Sequence, residues 1–475
     1  MSFNSFGYIL LFLPAVFILS RLAGLLSFSK APQICILLAS MFFYAWSKPS
    51  YLPYLLGSIL VNWQIARWIG GLTGLRRKRM LQLGLVLDIC FLCTFKYVNF
   101  FISNIPYLVH HHIRAPDLAF PLGISFFTLA QIMYLVDCYE ELIPPSSLLD
   151  HLTFVSFFPY VISGPISRAK RILHQFPALN GRTGPSADML ARAMFLFSLG
   201  LIKKVVLADA FSKAADYGFG NISSLSGIES WWFATAYALQ IYFDFSGYSD
   251  MAIASALFFG IEIPRNFDAP LRATSIIEYW QRWHITLTTF ITTYIYTPIV
   301  RSFSRVTLFK SAVATLIAMT IAGLWHGPNW TFIVYGVIHG IGLAVNQYWR
   351  KKKMPAIPKP VSWLLTFAVF ELAFVFFRSP DLHTAVLYLS RLFSWHHFFA
   401  VDNLRKMNGA GLMVPVFLFS QAIGIIMAFF GKSTDQLARE FQPTWLNYAA
   451  TTACTLIAFL YLNSNVAKPF VYFAF

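Results

Sequence analysis

The sequence predicts an all-α polytopic membrane protein, and two observations carry that prediction. Of its 475 residues, 57% are hydrophobic and only 12% are charged, whereas a soluble globular protein has about 25% charged residues. The apolar residues also gather in runs, several of which reach the roughly 20 residues that a helix needs to cross a bilayer, while the shorter ones need tilt or neighbouring helices. Such a composition cannot cover a water-facing surface, so a soluble enzyme, a disordered protein and a small disulfide scaffold are excluded.

The apolar runs predict about 11–12 transmembrane helices, because a span needs roughly 20 residues and the loops are short. The first run, 6–26, has neither a basic leading region nor a small-residue cleavage site, so we expect a retained span rather than a signal peptide. No repeat and no long polar insert interrupts the chain, which predicts a single membrane domain over residues 1–475. The further candidate spans are 34–46, 52–68, 81–101, 120–135, 189–207, 231–259, 311–324, 330–348, 361–377, 411–430 and 445–462.

Two segments are predicted to be re-entrant, because they are apolar but poorly suited to an unbroken span. In and around 152–165, Pro159, Gly164 and Pro165 interrupt helical hydrogen bonding. Irregular backbone at membrane depth is tolerated only where protein or a water-filled cavity surrounds it. The second segment, 276–299, belongs to an amphipathic stretch that we expect to lie at the cytoplasmic surface before it dips inward.

Basic clusters between the apolar runs predict the orientation. The net charge of +16 comes from Lys and Arg in short clusters, which is typical of membrane topology signals rather than of a nucleic-acid surface. The densest basic loops are 76–79, 168–182 and 350–353. If the amino terminus lies outside, the predicted spans place all three loops in the cytoplasm, as the positive-inside rule requires. Both termini are therefore predicted to lie outside the cytoplasm.

Three histidines lie within or beside apolar stretches, where burial of an ionisable group is costly and function is the default interpretation. His326 has the strongest claim, because Gly327 and Pro328 must end the helix beside it. His284 lies in an aromatic-rich segment. His339 lies on the following run and is predicted to be structural, hydrogen-bonding between helices.

Other histidines and the cysteines are assigned no function. Residues 110–112 are all histidine, but consecutive residues of a regular element cannot all face one ion, so no metal site is predicted. His151 is expected in a loop, and 396–397 at a membrane interface. The five cysteines are an odd number at scattered positions, which does not make a disulfide framework.

The segment 240–250, Q-I-Y-F-D-F-S-G-Y-S-D, places carboxylates and hydroxyls inside an apolar run. Asp244, Ser246 and Tyr248 are candidates to line a polar cavity or to orient an imidazole. An interhelical hydrogen-bond cluster explains them equally well, and the sequence leaves both interpretations open. Further acidic residues inside apolar runs are Asp88, Asp137 and Asp250.

Taken together, these motifs resemble the membrane-bound O-acyltransferase (MBOAT) family, in its bacterial alginate O-acetyltransferase (AlgI-like) and DltB-like branch. The resemblance rests on F-P-L-G-I-S-F-F-T at 120–128, F-F-P-Y-V-I-S-G-P-I-S-R at 157–168, D-F-S-G-Y-S-D at 244–250, W-Q-R-W-H at 280–284 and G-L-W-H-G-P-N-W at 323–330. It implies a bundle of transmembrane helices with re-entrant segments around a central cavity.

The resemblance also implies the site and its chemistry. The two histidines of the family fall on His326 and His284, with His326 as general base and His284 as its partner. The implied donor is acetyl-coenzyme A or another acyl thioester, used as a substrate, with no bound cofactor and no metal. The implied partners are a periplasmic acetyl-transfer protein and polysaccharide synthesis machinery. Further candidates to line the cavity are Trp325, Asn329, Asp244, Ser246, Tyr248 and Arg282.

One stretch departs from the alginate-type pattern. Thr292 and Thr293 stand where that pattern usually has an Arg-Asp pair, although the following Tyr294-x-Tyr296-x-Pro298 frame is present. We therefore expect membrane O-acylation of a surface or exported polysaccharide at the bacterial inner membrane, but not of alginate itself.

The alternatives within the fold are D-alanyl transfer to teichoic acid, with an acyl carrier docking at the cytoplasmic face, and acylation of a lipid or a protein. A non-enzymatic transporter is less consistent with the sequence, because transporters usually show internal repeats. A scaffold would need neither His284 nor His326.

The predicted orientation can be tested by cysteine labelling in intact cells with a permeabilised outer envelope. Single cysteines at Arg77 and Lys352, in a chain without its own cysteines, should be protected from an impermeant thiol reagent. A cysteine at Asn221 should label, because the loop it occupies is predicted to lie outside. Labelling at Arg77 would overturn the orientation.

Overall fold

All regular structure in the described part of the chain is helical, which confirms the all-α prediction there. The computed structural model describes residues 1–106, 110, 120–180, 184–395, 397–408, 414–464 and 470–471. The first α-helices are α1 (Leu13–Ala23), α2 (Ala31–Ala45), α3 (Leu52–Gly71), α4 (Gly74–Lys96), α5 (Val98–Ser103), α6 (Ile124–Tyr139), α7 (Leu148–Ser156), α8 (Ala169–Leu173), α9 (Phe176–Leu179), α10 (Ala187–Ile202), α11 (Asp209–Gly220) and α12 (Gly227–Leu257).

The remaining helices begin with three short ones, and longer helices follow toward the carboxy terminus. They are α13 (Ile276–Arg282), α14 (Ile285–Phe290), α15 (Thr297–Arg301), α16 (Leu308–His326), α17 (Trp330–Lys351), α18 (Lys359–Arg378), α19 (Leu382–Leu392), α20 (Asp402–Asn408), α21 (Val414–Phe429), α22 (Thr434–Arg439) and α23 (Trp445–Ser464). Segments with π-helical hydrogen bonding are Gly7–Phe12, Lys203–Ala208 and Ile291–Tyr296, and 3₁₀ turns are Pro49–Tyr51, Ile222–Ser224 and Pro270–Arg272.

The central part of each predicted apolar run is helical, whereas some run ends, such as 120–123 and 258–259, are turns or irregular. Residues 411–413 of one run lie outside the described ranges. The prediction that 76–79 form a loop is wrong. These residues lie in the first turns of α4, because Arg and Lys are good helix formers and no breaker follows Gly74. Arg350 and Lys351 likewise end α17 rather than start a loop.

Three of the described helices are long and apolar enough to cross a membrane by themselves: Leu308–His326, Lys359–Arg378 and Trp445–Asn463. Four shorter apolar helices are Gly7–Ala23, Ala31–Ala45, Ile124–Tyr139 and Leu418–Phe429. Helices of that length need tilt or neighbours to span a bilayer. The total of about 11–12 spans therefore stays a prediction.

The chain divides into two compact units, each made of several stretches of sequence; the single membrane domain over residues 1–475 stays a prediction. The first unit comprises Met1–Ser198, Ser249–Arg265 and Gln442–Thr451, and the second comprises Leu199–Tyr248, Asn266–Phe441 and Thr452–Phe475.

In the first unit, the broken segment 157–168 is irregular, and residues 157–167 are buried. It packs against the turn before α6, where Gly123 has a φ of +75°. A Cβ at Gly123 would lie 2.5 Å from the Val161 carbonyl oxygen and 2.8 Å from Ile162 Cα. The two motifs thus meet backbone to backbone, and the predicted helix break lies inside protein, as irregular backbone at membrane depth requires.

Two buried carboxylates of the first unit have polar partners of different kinds. Arg168 donates to both oxygens of Asp137, from Nη2 at 2.8 Å and from Nε at 3.3 Å. Asp88 accepts a hydrogen bond of 2.8 Å from Asn62, and its second oxygen meets no partner in the described part of the chain. Pairing with a cation offsets the cost of burying a carboxylate, which favours a structural role for Asp137.

The second unit contains a close helix pair that positions the candidate site. A Cβ on Gly323 of α16 would lie 2.9 Å from Gly336 Cα in α17, and one on Gly336 would lie 2.3 Å from the Met319 carbonyl oxygen. Small residues let helix backbones approach this closely within a membrane. The pair therefore fixes where the end of α16 lies against α17.

Gly123→Ala should lower the melting temperature in detergent more than Gly260→Ala does. Both glycines have φ near +75°, so both substitutions add the left-handed strain of about 1–2 kcal/mol. Only Gly123 adds a clash, since nothing lies within 4 Å of a Cβ at Gly260. Equal melting curves for the two variants would contradict the backbone contact described above.

Candidate active site

His326 is placed by the end of one helix and the start of the next. Helix α16 ends at His326, and Gly327 continues in extended conformation. Asn329 then caps α17, because its Oδ1 accepts from the Thr331 N–H at 3.1 Å. Its Nδ2 donates to the Pro380 carbonyl at 2.6 Å. Asn329, predicted to line the cavity, thus uses both ends of its amide to hold the turn beside His326.

His284 is held in a strained backbone conformation between α13 and α14. Its φ of +42° and ψ of +51° place a non-glycine residue in the left-handed region, which costs of order 1–3 kcal/mol and clusters at functional sites. Two backbone hydrogen bonds of 2.9 Å fix the turn: Ile285 N–H donates to the Asn266 carbonyl, and Asp268 N–H donates to the Arg282 carbonyl.

The tautomer of His284 follows from its contact with Asn266. Asn266 Oδ1 accepts from the Thr286 N–H at 3.3 Å and from the Thr286 hydroxyl at 2.9 Å, and an N–H donor requires an oxygen there rather than an NH₂ group. His284 Nδ1 lies 3.1 Å from the same oxygen, so Nδ1 carries the hydrogen. The lone pair of the neutral ring is therefore on Nε2.

The structure brings the rings of His284, Trp325 and His326 close together. The two imidazole centroids are 6.5 Å apart, and the Trp325 ring lies 6.1 Å from His284 and 5.1 Å from His326. His284 is 0% exposed and His326 is 3% exposed. Two buried imidazoles this close together, shielded from water, form a setting in which proton transfer and charge stabilisation are effective.

Aromatic side chains wall in both imidazoles. The Phe245 ring meets His284 edge-on at 4.7 Å. Tyr335 and Phe377 meet His326 at 5.8 Å and 5.1 Å, with interplanar angles of 88° and 71°. These rings fix the orientation of the two imidazoles by packing.

The 240–250 segment reaches the site through Phe245, but its polar residues have different partners. Asp244 forms a buried ion pair with Lys204 and accepts from the Val471 N–H at 2.7 Å. Tyr248 stacks on Phe470 at 4.3 Å. Ser246 is buried, and its hydroxyl meets no hydrogen-bond partner in the described part of the chain. The contacts of Asp244 favour the interhelical interpretation for that residue.

Arg282 lies at the edge of the site rather than inside it. Its guanidinium pairs with Glu278 at 2.9 Å and donates to the Asp268 carbonyl at 3.1 Å. It therefore closes the loop that carries Asn266 onto α13.

Sequence reasoning missed several buried polar residues of the second unit. Nothing in the sequence marks Asn266 as a partner of His284, because an asparagine in R-N-F-D is typical of a turn. Lys204 and Lys203 lie inside a predicted span, where Lys203 donates to the Thr434 hydroxyl at 3.0 Å. Glu371, within α18, accepts from the Thr235 hydroxyl. A search for charged residues of either sign within apolar runs would have found the lysines and Glu371.

The remaining histidines are only partly described. His151 was expected in a loop, which is wrong: it lies in α7, fully buried, with its ring centroid 4.3 Å from that of Tyr134. His151 is buried because its neighbours on α7 are mostly apolar. His111, His112 and His396 lie outside the described residues. Within the described ranges, no group of three His, Cys, Asp or Glu side chains is arranged to hold a metal ion.

Comparison with known proteins identifies the family of the chain. The sequence model of the membrane-bound O-acyltransferase family matches residues 75–377, which include both histidines. A peptidoglycan O-acetyltransferase of Helicobacter pylori is 37% identical, with 94% of this chain and 92% of that protein covered. A probable alginate O-acetylase, AlgI, of Pseudomonas aeruginosa is 31% identical over the whole of both chains.

About half of the chain also matches a relative named for a different activity, D-alanyl transfer. A teichoic acid D-alanyltransferase of Streptococcus thermophilus is 33% identical over 49% of this chain and 58% of its own length. Because the family model covers more than half of the chain and full-length relatives exceed 30% identity, this multi-pass membrane protein belongs to the membrane-bound O-acyltransferase family and is an acyltransferase.

Proposed function

We propose that the protein moves an acetyl group from a cytoplasmic thioester across the membrane for O-acetylation of a cell-surface or exported polysaccharide. The observation that carries the proposal is the pair of buried imidazoles, 6.5 Å apart between ring centroids. The names of its full-length relatives, a peptidoglycan O-acetyltransferase and a probable alginate O-acetylase, support acetyl as the group transferred.

In the proposed reaction, His326 takes the proton from the acceptor hydroxyl as that oxygen attacks the acyl carbonyl. The C–O bond forms, the C–S bond of the thioester breaks, and the proton passes to the leaving thiolate. A well-placed general base contributes about 10²–10⁴-fold. His284, with its Nδ1–H committed to Asn266 and its lone pair on Nε2, positions the acyl group rather than donating to its carbonyl oxygen.

The surroundings of the reaction are part of the same proposal. The donor is acetyl-coenzyme A or another acyl thioester that enters from the cytoplasm, so that no charged donor crosses lipid. A periplasmic acetyl-transfer protein and the polysaccharide synthesis machinery receive the group. The chain resides in the inner membrane with both termini outside the cytoplasm, an orientation that the positive-inside rule supports.

D-alanyl transfer to teichoic acid is the second candidate. The D-alanyltransferase relative of Streptococcus thermophilus favours it, but that match covers 49% of this chain. The acetyltransferase relatives match 94–100%. Acetyl transfer is therefore the better-supported proposal.

His326→Gln should reduce transfer by at least the ~10²-fold typical of a lost general base. Glutamine keeps polarity and approximate size but cannot accept the proton, so expression and melting temperature in detergent should change little. The measurement is the O-acetyl and D-alanyl ester content of surface polymers in cells that carry each variant.

The matched control is His151→Gln, which replaces another fully buried histidine in the first unit. It should act through stability alone. Near-normal transfer by His326→Gln would remove its catalytic role, and loss of D-alanyl rather than acetyl ester would favour the second candidate.

Asn266→Ala should lower transfer by about tenfold or more, because misplacement of a reacting group by about 1 Å can cost 10²-fold. The change leaves His284 Nδ1–H without the oxygen that holds it. Asn266→Asp retains an acceptor at that position and should keep most of the activity. Equal losses in the two variants, with unchanged melting, would show that the hydrogen bond does not matter.

A further inference from the structure

A small cluster of buried side chains connects the segment that carries His284 to the surroundings of His326. Its members are Trp280 on α13, and Tyr335 and His339 on α17; we call it the Trp280–His339 cluster. All three side chains are buried. The proposed reaction gives none of them a role, and the sequence assigned His339 only a structural one.

The cluster is built around one hydrogen bond. Trp280 Nε1 donates to His339 Nδ1 at 3.2 Å, and the two rings meet edge to face at 5.0 Å and 88°. An indole N–H can only donate, so His339 is held with its lone pair on Nδ1 and its proton on Nε2. Few side chains could replace His339, because the Trp280 N–H needs a hydrogen-bond acceptor at the position of Nδ1.

The cluster reaches His326 through Tyr335. The Tyr335 ring lies 4.7 Å from His339 and 5.8 Å from His326, at interplanar angles of 74° and 88°. Residues 335 and 339 are four apart and so share one face of α17. A displacement of His339 would therefore also displace the Tyr335 ring that packs on His326.

The other end of the cluster reaches His284 along the chain. Trp280 lies in the last turns of α13, which ends at Arg282, and His284 follows in its strained left-handed conformation. The hydrogen bond thus ties the segment that carries His284 to the helix that braces His326.

We propose that His339 is a positioning residue: by accepting from Trp280, it fixes the separation and relative orientation of His284 and His326. The inference rests on the proposed function, because it assigns importance to that separation. His339 touches no substrate in this scheme. A bond that served only to stabilise the fold would change melting, not the rate of a folded enzyme.

The test compares steady-state turnover of acetyl-coenzyme A by the full chain in proteoliposomes. Trp280→Phe removes the donor, and His339→Leu removes the acceptor at similar volume. His339→Asn restores an acceptor, since its Oδ1 falls near the position of Nδ1. We expect kcat to fall by about tenfold or more in the first two variants, with KM little changed, and to stay within about threefold of the parent in His339→Asn.

The double variant Trp280→Phe/His339→Leu keeps the test informative if a single variant folds poorly. Removing both polar partners leaves no buried group unpaired and is close to neutral for stability. Each change deletes the same hydrogen bond. The double variant should therefore lose kcat by the same factor as either single variant, not by the two factors multiplied together. The control is Trp363→Phe, which deletes another indole hydrogen bond in the same unit, to the Leu271 carbonyl at 2.9 Å, and should keep parental kcat.

Parental kcat in the folded double variant would overturn the role of His339, while loss of transfer in His326→Gln would leave the proposed function in place. Normal transfer by His326→Gln would overturn the proposed function and this inference with it. A loss of kcat that His339→Asn does not restore would also count against the inference, because it would assign the effect to ring packing instead of the hydrogen bond.

Discussion

The backbone contact between Gly323 and Gly336 is the constraint on which the candidate site depends. A Cβ at Gly323 would lie 2.9 Å from Gly336 Cα, so α16 and α17 cross at a distance that a larger residue at either position would disturb. The crossing sets where the end of α16 lies and which face of α17 meets it. His326, at the end of one helix, and Tyr335, on the other, are therefore brought together by the glycine contact, and the packing of their rings then fixes their orientation.

His284 depends on a different kind of constraint. Its left-handed backbone conformation is unfavourable by of order 1–3 kcal/mol, and the hydrogen bonds around Asn266 hold it there. One imidazole is thus positioned by helix packing and the other by a strained turn. The Trp280–His339 hydrogen bond is where these two arrangements are joined.

Much of the fold could be predicted from the sequence, because hydropathy determines where helices form in a chain that must satisfy its backbone within lipid. The break beside His326 was predictable from Gly327 and Pro328. Helix ends were less so: the basic cluster 76–79 is helical, since charge alone does not break a helix. Partners such as Asn266 could not be predicted, because a contact across 18 residues leaves no local pattern.

The buried carboxyl of Glu371 bears on how the chain enters the membrane. Helix α18 is one of three long apolar spans, yet it carries this group at a position where an ionised side chain would oppose insertion by a few kcal/mol. Its hydrogen-bond partner, Thr235, precedes it by 136 residues. Helix α12, which carries Thr235, is synthesised before α18, so the order of synthesis supplies the polar partner before the group that needs it.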